Sequence, residues 1–167
     1  MSGATVPEDV AALFGGERYV EISDPVEAGA VRTFAAAVED ACAAYWGAPE
    51  TMIAPPALLS AWNRPLPWAP HGGASKRGLE LHFQVKERLD LPRAVVASAE
   101  TELHAPIRPG DRVQSGQRLL SIEPPTTTKL GEGRYWTIEV IYRCAASGRL
   151  FGIEILRFFG YRPEEAA

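Results

Sequence analysis

Arg134-Tyr135-Trp136-Thr137-Ile138-Glu139-Val140-Ile141-Tyr142-Arg143-Cys144 is the stretch on which the fold turns. Tyr135, Thr137 and Glu139 alternate with Trp136, Ile138 and Val140, the period of two that puts successive side chains on opposite faces of a strand. Ser147-Gly148 then supplies a hairpin turn, and residues 150–161 read as the returning strand. Moving toward the N-terminus, residues 112–122 form another strand, entered by the turn Pro109-Gly110-Asp111, with a turn-rich loop over 124–133 after it. Residues 93–107 carry Val95-Val96 and then Thr101 and Leu103 against Glu102 and His104, a further strand. Leu79, Leu81, Phe83 and Val85 alternate with Glu80, His82, Gln84 and Lys86, so the pattern predicts a strand there as well.

The N-terminal part changes to helical spacing. Pro7 to Phe14 predicts a short helix stopped by Gly15-Gly16, and Arg18 to Ile22 a first strand. Ser23-Asp24-Pro25 opens the main helix, with a capping side chain before a proline and Glu27 in the first turn. Val26, Ala30, Phe34, Ala37 and Val38 form its buried stripe, Ala41 and Tyr45 extend it, and Gly47-Ala48-Pro49 ends it. Pro56 is placed to begin a second helix through Trp62. Residues 64–74 are a Pro- and Gly-rich covering loop that holds Trp68 and His71. A long helix followed by consecutive antiparallel strands predicts an α+β fold, with the helix packed into one curled sheet and residues 1–167 forming a single domain.

Composition narrows the function classes. Apolar residues make up 46% of the 167 residues, enough for a sizeable core, and the net charge of −4 comes without a basic block, so no nucleic-acid footprint is expected. No apolar stretch approaches the ~20 residues that span a bilayer, and Met1 to Val6 lacks the charged and apolar signal pattern, so no membrane partner and a cytoplasmic location are expected. Cys42 and Cys144 lack metal-ligand spacing and read as buried, reduced thiols. No metal cluster is expected. Gly131-Glu132-Gly133 precedes a strand and not a helix, so it is no phosphate cradle.

Three stretches carry a resemblance. They are Glu39-Asp40-Ala41-Cys42-Ala43-Ala44-Tyr45 with Ile53-Ala54-Pro55-Pro56, then Pro106-Ile107-Arg108-Pro109-Gly110-Asp111-Arg112-Val113, then Lys129-Leu130-Gly131-Glu132-Gly133-Arg134 with the closing Gly160-Tyr161-Arg162. In this order and spacing the chain resembles the MaoC-like, fatty-acid-synthase dehydratase-like hot-dog hydratases, especially the N-terminal half of two-domain members. The resemblance implies a hot-dog fold, a long antiparallel sheet wrapped around a central helix. It also implies hydration of a 2-enoyl thioester to a 3-hydroxyacyl-CoA, with acyl-CoA as substrate and no cofactor. In active members a carboxylate and an imidazole five positions apart hold the water as general base and acid. The backbone N–H of a glycine that starts the next helix polarises the thioester carbonyl.

Asp40 matches the carboxylate, but Tyr45 stands where the histidine belongs and Pro56 where the glycine belongs. A phenol with a reference pKa of about 10 is a poor partner for activating water near neutral pH. Proline has no N–H to donate. Ile53, Ala54, Pro55 and Ala57, with Trp62 and Trp68, are the candidate acyl-binding residues, Trp46 being ordinary packing or tunnel wall. Arg112, Lys129 and Arg134 are the candidate contacts to CoA phosphates. His82 and His104 fall in strand patterns beside Glu80 and Glu102 and read as strand-face polar residues. The resemblance thus implies a non-catalytic subunit that pairs with a second hot-dog chain, as a heterodimer or a dimer of heterodimers, and shapes the tunnel for a bulky acyl group such as a steroid side chain or a long chain. Two other readings fit the same residues: a self-sufficient homodimeric thioesterase or divergent hydratase, and a non-enzymatic acyl-CoA-binding scaffold.

Overall fold

The fold is described from a computed structural model over residues 6–65 and 77–163. Three helices, α1 (Glu8–Ala11), α2 (Ala28–Ala37) and α3 (Glu80–Arg88), accompany six strands: β1 (Arg18–Ile22), β2 (Arg93–Leu103), β3 (Val113–Ile122), β4 (Thr126–Thr128), β5 (Gly131–Cys144) and β6 (Leu150–Arg162). The strands make one antiparallel sheet in the order β1-β3-β5-β6-β2, and the short β4 pairs with the start of β5 beyond the end of β3. This is the α+β hot-dog arrangement. The β5–β6 hairpin is its spine: Trp136 lies opposite Phe158, Ile138 opposite Leu156 and Val140 opposite Glu154. Gly160 faces Arg134 across this pair, and a methyl group there would come within 2.5 Å of the Trp136 ring and 2.9 Å of Leu91.

The period-two face of β5 is the core face. Trp136 and Ile138 are fully buried, Val140 and Tyr142 nearly so, and their β6 neighbour Phe158 joins them. At the other end of the sheet β2 is exposed almost throughout, with Ala94 alone part-shielded; Val96 is 59% and Leu103 52% exposed. Beyond β6 it has no further strand neighbour among the described residues.

Several sequence-based expectations change, among them the loop over 124–133, which holds β4 and the start of β5. The alternating run at 79–86 is helix α3, not a strand. Leu81 and Val85 sit four residues apart on one buried face, a helical spacing that a short alternating run also satisfies. Glu, Leu, Gln, Lys and Arg are strong helix formers, Glu80 stands in the first turn, and Lys86 and Arg88 stand in the last, each suiting the helix dipole. Gln117 of β3 completes the N-terminus: its Oε1 accepts from the Leu81 N–H at 3.1 Å and its amide donates to the Gly78 carbonyl at 3.3 Å. The helix against the sheet is therefore α3, and the predicted main helix is a peripheral one.

That main helix is also shorter than predicted. α2 stops at Ala37 because Glu39 takes a left-handed backbone (φ 55°), with Asp40 N–H donating to the Ala35 carbonyl and Glu39 N–H to the Ala36 carbonyl. These are the two bonds of a Schellman ending, here without the usual glycine, so the sequence carried no stop signal. The helix predicted from Pro56 is a single 3-10 turn, Pro56–Leu58, followed by further turns.

Candidate functional site

Each residue of the candidate catalytic corner has a place. Asp40 lies just past the end of α2 in an irregular loop. Its Oδ1 accepts from the Cys42 N–H at 2.9 Å, and its carbonyl accepts from the Trp46 indole at 2.8 Å. Tyr45 closes the 3-10 turn Ala43–Tyr45 and packs against the core. Desolvation, with the Cys42 and Asp40 groups nearby, pushes its phenol further above its ordinary range. It is thus a still weaker proton donor than free tyrosine. Pro56 is exposed at the start of a three-residue turn, which provides neither an N–H at that position nor a helix dipole. Ala57 is exposed and Ile53 part-buried, while Ala54 and Pro55 are buried; the Ala54 N–H donates to the Ile107 carbonyl at 2.8 Å.

These residues do not converge on one cavity. Asp40 borders an open depression with Ala35, Ala43 and Trp46. Ile53 through Pro56 border a separate small pocket of about 160 Å³ with His104 and Phe151. His104 sits just past β2, with Nε2 3.1 Å from Glu102 Oε1. Trp62 is half-buried against the core, and Trp46 is 45% exposed. Trp68 and His71 lie outside the described residues.

The candidate phosphate contacts separate as well. Arg112 precedes Val113, which pairs with Cys144, whereas Arg134 pairs with Gly160. The ten residues of β5 between these positions span about 30 Å at ~3.3 Å each, too far for one nucleotide's phosphates to meet both. Arg112 is exposed, 3.9 Å from Asp24. Lys129, exposed in the β4–β5 turn, and Arg134, beside Arg162 on a pocket of about 220 Å³, share the opposite end. The thiols also divide: Cys144 is buried, but Cys42 is exposed, contrary to expectation, because α2 ends before reaching it. Among the described residues no cluster of His, Cys, Asp and Glu could hold a metal ion.

A further cleft, less open than the depression at Asp40, lies on the concave face of the sheet. α3 has nine residues, about 13 Å of helix, against the fourteen of β5, which reach about 45 Å as strand. Where α3 falls short a cleft of about 450 Å³ remains. Val140, Leu156 and Phe158 form its apolar floor, Val96 and Ala99 of β2 one wall, and Ser60, Asn63 and Arg64 its roof. Tyr142 and Glu154 stand at one end, the phenol donating to Glu154 Oε2 at 2.7 Å. Burial and then the Glu154 carboxylate push that phenol far above its usual range. Sequence reasoning missed these residues. The only signal was the pair of polar side chains at core-face positions of β5 and β6. His82 was misplaced too: it is buried on α3, its ring 4.1 Å from that of Phe158 and 5.4 Å from that of Trp136, with Nδ1 unpartnered. Desolvation, helped by Lys86 and Arg77, lowers its pKa to about 4.

The profile of the FAS1-like dehydratase domain region matches residues 13–143. The chain belongs to the FAS1-like dehydratase family. Within that MaoC-like hot-dog family it is similar to the probable enoyl-CoA hydratase alpha subunit of Thermomonospora curvata, 27% identical over 117 residues, which are 70% of this chain and 36% of that protein. The chain thus spans about a third of the length of this curated relative. Among solved structures it is similar to the ChsH1–ChsH2 complex of Mycobacterium tuberculosis, with a TM-score of 0.76 at 20% identity over 95% of this chain and 92% of that one. It is also similar to the MaoC-like dehydratase of Rhodospirillum rubrum (TM-score 0.55, 17% identity, 87% and 92% covered) and to the HadBC (3R)-hydroxyacyl-ACP dehydratase complex of M. tuberculosis (0.54, 14%, 84% and 96%). At these identities the likeness is one of fold. This enoyl-CoA hydratase/dehydratase-like family is one of lyase-type enzymes, and two of these neighbours are hetero-complexes. No helix among the described residues is long and apolar enough to cross a membrane.

Proposed function

We propose that this FAS1-like dehydratase chain is the acyl-shaping, non-catalytic subunit of an enoyl-CoA hydratase, and that a second hot-dog subunit supplies the water-activating residues. The cleft beneath the short α3 carries the reading. Its volume of about 450 Å³ lies within the ~300–1,000 Å³ of small-molecule sites, and its floor is apolar. Two of its wall residues, Val96 and Ala99, belong to the exposed edge strand β2, so a strand added along β2 would continue the wall. Tyr45 stands where the imidazole is expected and Pro56 where the N–H donor is expected, and Asp40 and Pro56 border separate depressions, the imidazole of His104 lying on the Pro56 side. Each missing element is worth about 3 kcal/mol or more in the transition state, which together would slow hydration by at least about ten-thousandfold.

The test assays this chain alone and co-expressed with a hot-dog protein that has an intact Asp-x-x-x-x-His and a following glycine. Crotonyl-CoA and dodecenoyl-CoA serve as substrates. The reading expects no hydration by the lone chain and activity from the pair. Ala99→Trp in the pair should lower dodecenoyl-CoA turnover at least about tenfold while crotonyl-CoA is little affected. Hydration by the lone chain that Asp40→Asn abolishes would overturn the proposal. Thioester hydrolysis by the lone chain would favour a thioesterase, and acyl-CoA binding without turnover in either preparation would favour a scaffold.

A further inference from the structure

The polar end of the cleft is ordered in a way that selects its ligand. Along β6, Phe158, Leu156 and Glu154 face the cleft in turn, each pair about 6.6 Å apart by strand rise. Phe158 and Leu156 are flanked by Val96 and Ala99 on β2 and by Trp136 and Ile138 on β5, all apolar. At Glu154 the lining changes. Tyr142, 4% exposed, gives its single hydroxyl proton to Glu154 Oε2 at 2.7 Å, and the Ser60 hydroxyl lies beside the phenol on the roof. The row therefore ends on a carboxylate, which only accepts. The Arg64 guanidinium lies on the roof near the Tyr142 phenol, while the donors of Asn63, Gln117 and Arg77 are engaged within the chain. Asn63 donates to the Glu21 and Val113 carbonyls at 3.1 and 2.9 Å, Gln117 caps α3, and Arg77 is engaged by Glu80 and Glu87.

We propose that the acyl group accepted by this cleft carries a hydroxyl along its chain, and that this hydroxyl donates to the free oxygen of the Glu154 carboxylate. The inference rests on the acyl-binding reading above and names the substrate class of the same site. A saturated chain brings no donor and would strip water from the carboxylate without replacing it. A ketone presents an acceptor to an acceptor. A hydroxyl satisfies the free oxygen while the rest of the chain lies on Leu156 and Phe158.

The experiment is calorimetric titration of the full chain, alone and paired with its catalytic subunit. The ligands are lauroyl-CoA, a series of monohydroxylated lauroyl-CoAs differing in hydroxyl position, and the matching keto-lauroyl-CoAs. At one position the hydroxylated form should bind at least about tenfold more tightly than lauroyl-CoA, a step of about 1.4 kcal/mol. Its keto counterpart should show no such gain. E154L should reverse the preference in favour of lauroyl-CoA, and E154Q, whose amide can donate, should bring the keto form level with the hydroxylated one. Affinities equal within about twofold across the wild-type series, with lauroyl-CoA binding, would overturn the hydroxyl proposal and leave the acyl reading standing. Absence of binding by every ligand, alone and in the pair, would overturn both. The wild-type series decides the matter even if the variants fold poorly.

Discussion

Asp40 and Glu154 are both carboxylates that accept a hydrogen bond, yet they are built into the molecule in opposite ways. Asp40 follows a helix that ends early and is held by a bond to the backbone two residues on, a local turn that any exposed loop can form. Glu154 sits inside β6 with β5 on one side and β2 on the other, its partner phenol fixed by the register of two long strands. The carboxylate singled out by the resemblance and this chain's best-formed polar pair thus lie apart: Asp40 is a part-buried loop residue, and the preorganised geometry is in the sheet.

The sharpest way to break that contrast is to truncate a tryptophan in each region. Trp136→Ala, under α3 and fully buried, should cost about 4 kcal/mol in chemical denaturation. Trp46→Ala beside Asp40, where the ring is 45% exposed, should cost less than about 1 kcal/mol. Similar losses at the two sites would mean that the Asp40 corner is packed as firmly as the cleft floor.

The next effect comes from His82, which borders the same floor. Its folded pKa of about 4 lies below the reference 6.5, so between these values the unfolded chain binds more protons than the folded one. Stability is undiminished by this group above pH 6.5, falls as the pH drops toward 4, and has lost about 3 kcal/mol from it once below. Denaturation midpoints of wild type and His82→Phe, compared from pH 7 to about 4, should diverge by that amount, with the wild type the more acid-sensitive. Parallel curves would show that the imidazole is not held neutral by burial.

The smallest effect is expected at Asp40. Asp40→Asn keeps an acceptor for the Cys42 N–H and should change stability by less than about 0.5 kcal/mol. Hydration by the co-expressed pair should stay within about twofold of wild type. A drop of a hundredfold or more would place Asp40 in the chemistry and erase the distinction between the two regions.

Much of the fold was legible. The bounds of β1, the start of β6, the Ser147-Gly148 turn and the core face of β5 follow from alternation and turn chemistry, because one buried face imposes a period of two on every side chain of a strand. Helix α3 was read as a strand, since Leu81 and Val85 satisfy both periods over so short a run. The early end of α2 was invisible, because its stop is a glutamate in a left-handed conformation that no residue type announces. For the site, the sequence places Tyr45 and Pro56 where the resemblance expects a histidine and a glycine, a matter of residue identity readable without coordinates. It did not show Tyr142 and Glu154 as a pair, since twelve positions separate them and only the β5–β6 register brings them together.

By itself, then, the sequence determined the long antiparallel strands, the inward face of β5 and the residue types at Asp40, Tyr45 and Pro56, all of which depend on local pattern and on which functional groups each side chain carries. Only the tertiary structure decided which helix lies against the sheet, that it is too short to cover it, and that the uncovered surface is a cleft ending in a carboxylate. Those outcomes depend on how lengths and registers of distant segments fit together, a quantity no local window of residues contains.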